Sequence, residues 1–284
     1  MKMLAEKLLV IGKGKKYGQI IFLAGGAGSG KGFSVKNFLE GEKFKVRDVD
    51  EMKKLFLRLA NLKSKHCKNC SELRGLDMTK PKDVYKLHMW VKEQGFKDKT
   101  LDLLLSQASS DRLPNIIFDV TMKDKNDITD VVPLLASIGY DPKNINIVWI
   151  LTNYSVAIEQ NRDPERGRVV PENIMLKTHE GAANTIWGFV KKGTPTNVNG
   201  GVYIILGGPK NTILWTDKKG KPIKTGKDKT VVVKDFKYIT VKEPGKRMTT
   251  SKDLHNKVLE WIRQNVPISK ATKHLFGTGR KEKE

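Results

Sequence analysis

The segment FLAGGAGSGKGFSVKNFL, residues 22–39, contains the spacing Gly25-x-x-x-x-Gly30-Lys31. Glycines in such a run admit left-handed backbone that turns successive N–H groups inward, and a helix starting there adds its positive end. The cradle would span Gly25, Gly26, Ala27, Gly28, Ser29, Gly30, Lys31, Gly32 and Phe33. Lys31 would reach the β- and γ-phosphates of ATP or GTP and follow the charge during transfer. The bland alternative is a glycine-rich structural turn. The apolar run before it and the helical pattern after it argue against that. Gly32 stands where a hydroxyl would usually meet Mg2+. Ser34, two residues on, and Asp119, closing NIIFD, are the candidate metal groups, and magnesium keeps several waters in any case.

Transfer also needs an acceptor group held in line. RDVDEMKK offers Asp48 and Asp50 to orient or deprotonate a hydroxyl, although Asp50 could equally cap the following helix. NRDPERGRVVP places Arg162, Arg166 and Arg168 within seven positions. Guanidinium forks on such a segment, around residues 160–171, suit a lid that clamps phosphate oxygens. The alternative is an exposed turn paired with Asp163 and Glu165.

These residues need a scaffold. GQIIFLAGG, KFKVRDVD, PNIIFDVTM and NINIVWILTN are short apolar runs of the kind buried in a parallel sheet, and helical periods separate them. Residues 1–12 predict a short helix. Residues 63–83 read as a polar loop. PKDVYKLHMWVKEQGF, DITDVVPLLASIGY and PENIMLKTHEGAANTIWGFVKKG read as helices. The alternation predicts an α/β fold, a doubly wound parallel sheet carrying the phosphate loop, over residues 1–192. Residues 193–284 predict a basic extension: short strands with a KKGK hairpin, an amphipathic helix (SKDLHNKVLEWIRQN) and a flexible tail.

GGAGSGKG, DEMKK, IIFDVTMKD and RGRVVP occur in an order that resembles bacteriophage polynucleotide kinases and zeta-toxin-type kinases, over roughly residues 17–192. The resemblance implies that Asp50 is the acceptor-side aspartate, with Met52 where an aromatic is usual and Lys53 as its basic partner. It implies that Thr121 sits beside the acceptor and that Arg168 is the lid arginine. Gly32 departs from the usual Ser or Thr. ILWTDKKGKPI resembles the strand pair that zeta-type kinases carry after their lid.

The net charge is +22. Residues 191–284 carry 22 Lys/Arg against 8 Asp/Glu, or +14. Such a balance favours phosphate-rich partners. No apolar run approaches the ~18 residues that a membrane span needs, and with Cys67 and Cys70 alone the expected setting is a reducing cytoplasm and free thiols. The Cys-x-x-Cys spacing is half a zinc site without its second pair. His179 is expected on a helix surface, and Trp90, Trp149, Trp187 and Trp261 on apolar faces. The reading that follows is an ATP- or GTP-dependent kinase acting on a hydroxyl of a nucleic acid (a 5′ end or a hydroxymethylated base) or of a nucleotide-type acceptor. A sugar nucleotide comes second, and a hydrolysing NTPase or a non-catalytic binding module are the rivals. The strand ends Asp119-Val120, without the Asp-Glu pair of a water-activating ATPase.

Overall fold

A computed structural model describes residues 7–12, 17–63, 67, 69–106, 108, 112–164, 167–225 and 230–277. The strands are β1 (Ile20–Ala24), β2 (Lys45–Arg47), β3 (Ile116–Asp119), β4 (Ile145–Leu151), β5 (Val202–Leu206), β6 (Thr212–Leu214), β7 (Lys224–Thr225), β8 (Thr230–Val231), β9 (Val233–Phe236) and β10 (Tyr238–Lys242). The helices are α1 (Lys31–Asn37), α2 (Val49–Asn61), α3 (Pro81–Glu93), α4 (Phe96–Leu105), α5 (Asn126–Thr129), α6 (Val132–Ile138), α7 (Tyr154–Arg162), α8 (Glu172–Lys192) and α9 (Lys252–Asn265).

Six strands form one sheet in the order β10-β5-β4-β1-β3-β2. Every pairing is parallel except β10 with β5. Each residue of β1, β4 and β5 is buried, because both faces are covered. Alternation decides which face each side chain serves. Ile20, Phe22, Ile147 and Trp149 pack with α4, α6, α8 and α9, while Ile21, Leu23, Val148 and Ile150 pack with α1 and β9. α2 and α3 form a separate cluster centred on Phe56, Leu73, Leu87 and Trp90.

Some expectations change. The helix expected over residues 1–12 is irregular chain where it is described: Lys7 N donates to Val233 O, and Leu9 N to Phe38 O. Leu9 and Ile11 are thereby buried on the second face, which α1 alone is too short to cover. β5 and β10, from the segment after residue 193, complete the main sheet, so residue 192 marks no edge of it. Residues 266–277 are packed rather than loose: Leu275 is buried and its carbonyl accepts from Arg263 Nε. Cys67 and Cys70 are joined as a disulfide rather than free, and Cys70 is buried under α2 and α3.

Candidate active site

β1 ends at Ala24, and the register sets Leu23 opposite Asp119 of β3 and Ala24 opposite Trp149 of β4. The glycine loop therefore leaves the sheet between two strand ends, with the Asp119 carboxyl beside it. Gly28 and Gly30 have φ of 78° and 83°, which glycine tolerates best. A Cβ at Gly28 would also overlap the Ala157 carbonyl. The loop is pinned from behind. Thr152 Oγ1 donates to Ser29 O at 2.7 Å, and Ala27 N donates to Thr178 Oγ1 at 3.2 Å.

His179 completes the brace. It is not a surface residue but 4% exposed, with Nε2 2.9 Å from Ala27 O, and a Cβ on Gly26 would run into its ring. Burial lowers its pKa to about 4, with Lys31 adding to the effect and the Ala27 bond opposing it. The ring is thus neutral near pH 7, with Nε2–H donating to the carbonyl. A folded pKa below the unfolded 6.5 means the fold favours the neutral form. Stability is then full above about pH 6.5 and falls towards pH 4, by about 3 kcal/mol if the shift is fully expressed. Urea unfolding at pH 7 and pH 5 should show about 2 kcal/mol of that loss, and His179→Gln should flatten it.

Across the loop, Lys31 Nζ donates to Gly25 O at 2.7 Å and lies 3.5 Å from Asp119 Oδ1. Burial pushes Asp119 up to about 6, and the nearby Asp48 and Asp50 charges add to this while Lys31 opposes it. A raised carboxyl pKa favours the protonated fold, so this contribution is full below about pH 4 and is lost as pH rises through 6. Asp119→Asn should therefore raise the apo protein's thermal midpoint at pH 8 by a few degrees, at about 2–4 °C per kcal/mol. It should leave the midpoint unchanged at pH 4. An equal midpoint at pH 8 would contradict the assignment.

Asp48, not Asp50, caps α2: its Oδ1 accepts from Asp50 N at 2.7 Å. Asp50 is free for other work in the first turn. Its Oδ1 meets Lys53 Nζ at 2.7 Å and its Oδ2 meets Arg168 Nη1 at 2.6 Å. Burial alone would raise the Asp50 pKa, but Arg168 and then Lys53 outweigh it and hold the carboxyl well below the usual range. Arg168 is held by its neighbours. Val170 exchanges two bonds with the Asn161 side chain at 2.8 and 2.9 Å, and Val169 N donates to Met78 O at 2.9 Å. Thr121 borders the same space with Oγ1 3.5 Å from Asp127 Oδ2, next to Met122, which is buried with a φ of 56°. Strained backbone of this kind costs about 1–3 kcal/mol and tends to gather at functional sites.

Together these groups line a cleft of about 360 Å³ that holds Lys31, Asp48, Asp50, Asp119, Thr121 and Arg168. Glu51, Lys54 and Gln160, which the sequence did not single out, line it too. Arg162 does not: it is exposed and paired with Glu172. Arg166 lies outside the described residues. Ser34 is buried with its hydroxyl donating to Gly30 O at 3.0 Å, and it lines a second, mostly apolar concavity of about 540 Å³ with Phe33, Gly208 and Pro209. The two hollows share Ser29, Gly30 and Gln160. The buried Ser29 Oγ at that junction has no hydrogen-bond partner among the described residues. No cluster of three or more His, Cys, Asp or Glu among them could hold a metal ion unaided.

Residues 9–218 match the family model described as Zeta toxin. The chain belongs to the zeta toxin family. Zeta toxin kinases are ATP-dependent phosphotransferases to hydroxyl acceptors, which makes this chain a kinase. Among solved structures, the PezAT toxin–antitoxin system of Streptococcus pneumoniae aligns at 13% identity and a TM-score of 0.45, over 92% of this chain and 88% of that one. The AvrRxo1-ORF1:-ORF2 complex aligns at 12% and 0.43, over 90% and 74%. Deoxyadenosine kinase from M. mycoides with bound dATP aligns at 16% and 0.31, over 61% and 84%. At such scores these likenesses decide nothing about the zeta toxin chain's substrate. No curated protein sequence matches it. No helix among its described residues is long and apolar enough to cross a membrane.

Proposed function

We propose that this chain transfers the γ-phosphoryl group of ATP to a hydroxyl of a small, phosphate-bearing acceptor of the nucleotide type, with Asp50 as the group that orients and deprotonates it. The observation that carries the reading is the Lys53–Asp50–Arg168 clamp across the cleft from Lys31. Held between two cations, the Asp50 carboxylate is ionised but a weak base. Phosphate oxygens compete for Arg168 and Lys53, and as these cations turn towards substrate the Asp50 carboxylate regains basicity. Proton abstraction is thereby favoured only when the acceptor is present, which limits wasteful hydrolysis.

The second concavity suits the nucleoside of the donor: Phe33 and Pro209 supply apolar surface, and the unpartnered Ser29 Oγ lies where the two hollows meet. Of the two metal candidates Asp119 fits, because it lines the cleft with Lys31 whereas the Ser34 hydroxyl is committed to Gly30 O. Magnesium would sit among phosphate oxygens and waters with Asp119 as its protein group, and would supply neutralisation of phosphate charge.

The acceptor side is positive. His88 of α3 has its pKa lowered by burial and by Lys53, Lys92 and Lys123, with Asp50 opposing, a field suited to anionic acceptors. The test is incubation with γ-labelled ATP and a panel of sugar nucleotides, nucleosides, nucleotides, 5′-hydroxyl oligonucleotides and hydroxymethylated DNA. Label on a nucleotide-type small molecule is the expected result. Label on the polymers alone would move the acceptor to nucleic acid, and free phosphate alone would replace transfer by hydrolysis.

A further inference from the structure

Away from the cleft, two concavities of about 640 and 520 Å³ meet at Lys192, Gly193 and Thr194, just past the end of α8. The first is lined by Lys123 and Lys125, the second by Lys191, Lys246 and Arg247, and Lys192 belongs to both. All six are exposed. None has an acidic partner among the described residues. The one acid among the described lining residues, Asp124, accepts a bond from Asn126 N. Below the second hollow Lys242 is 5% exposed, with its ammonium donating to Gly200 O at 2.7 Å and to Asn199 O at 3.0 Å, so this charge too lacks a carboxylate.

The groove starts two residues beyond Thr121, beside the cleft. It ends at Asn199 and Lys242, at the opposite end of β5 from Gly207 and Gly208, which border the phosphate loop. Five strand residues place those ends about 17 Å apart. Six cations against the single carboxylate of Asp124 among the described lining residues repel each other unless a further anion lies there. A single phosphate would satisfy one or two of them; a chain of phosphates would satisfy them all. A membrane surface fits poorly, because the cations line a hollow and none of the exposed large apolar side chains lies in it. The same lack of apolar anchors argues against a protein partner.

We infer that the groove from Lys123 past Lys192 to Arg247 binds single-stranded nucleic acid through its phosphates. No exposed aromatic lines it for stacking, so recognition runs through the backbone and is indifferent to base sequence. The site shares the field of Lys123 with the acceptor side of the cleft but otherwise lies apart from it, and it stands whether or not nucleic acid is ever the acceptor.

The test is fluorescence anisotropy of the full chain with a labelled 20-mer of oligothymidylate at several salt concentrations. The comparison is with K191Q/K192Q/K246Q/R247Q and with a control, K218Q/K219Q/K221Q/K224Q, in the exposed hairpin. Losing four phosphate contacts should make the log Kd against log salt slope shallower by about 2.8 and weaken binding by about 10²-fold or more at 0.1 M salt. The control should change Kd less than about fivefold, a general-field effect. Phosphotransfer to the small acceptor should persist in both. If the quadruple variant does not fold, K191Q/K192Q and K246Q/R247Q separately should each shift the slope by about 1.4. Equal losses in groove and control variants, no wild-type binding at 0.1 M salt, or equal binding of anionic lipid vesicles or polyglutamate through the same four residues would overturn the assignment.

Discussion

Asparagine in place of Asp50 is expected to lower kcat for phosphotransfer by about 10²- to 10⁴-fold, the usual worth of a positioned general base. Affinity for ATP should hold or tighten. In the free protein Arg168 is 2.6 Å from the carboxylate, and removing that charge releases the guanidinium for phosphate. The carboxylate side chain is more than a third exposed, so its ion pairs add little to stability and the variant should fold normally. Stopped turnover with intact calorimetric ATP binding separates a chemical role from a structural one. A kcat within about threefold of the parent would remove Asp50 from the mechanism.

Lys31→Met is expected to cost about 10²- to 10³-fold in kcat, the scale for one preorganised donor to developing charge, and to weaken ATP binding as well. The parent lysine waits between Gly25 O and Asp119, with no closer acid among the described residues. Without it, Asp119 loses a neighbour that lowers its pKa, so the carboxyl should titrate higher still. Carboxyl titration followed by NMR reads that second effect independently of catalysis. Arginine at position 31 restores charge but not the compact point geometry, and should recover less than about tenfold. Full activity of Lys31→Met would show that the loop amides suffice.

These expectations differ in how far the sequence could carry them. The phosphate loop was legible because its chemistry is local: glycine tolerance of positive φ and a lysine one position beyond the last loop glycine are properties of a single segment. Asp119 was legible for a similar reason, since an acid closing an apolar run must emerge at a strand end. The arginines show the limit. Spacing alone could not tell Arg168, which turns to Asp50, from Arg162, which turns outward to Glu172. The difference arises from Asn161 bonding both backbone groups of Val170, a contact made only once α7 is in place.

His179 is the clearest miss. Its helix has a small-residue run, Gly181-Ala182-Ala183, that signals close packing, but nothing local says that the phosphate loop is what packs there. Ala27 and His179 are 152 positions apart, and only the sheet order brings β1 and α8 together. The same holds for the cap of α2: the sequence offered Asp50 for that place, and the extended backbone at Asp48 put the cap there instead.

From its order of residues alone, this chain set its strand and helix alternation, its glycine loop and the acids that open α2, because each depends on periodicity or on contacts within a few positions. Tertiary structure alone decided which arginine enters the cleft, what supports the loop from behind, and that strands after residue 193 finish the central sheet. Those outcomes depend on burial and hydrogen bonds between segments far apart in the chain. Such partners exist only after the chain has collapsed around its core.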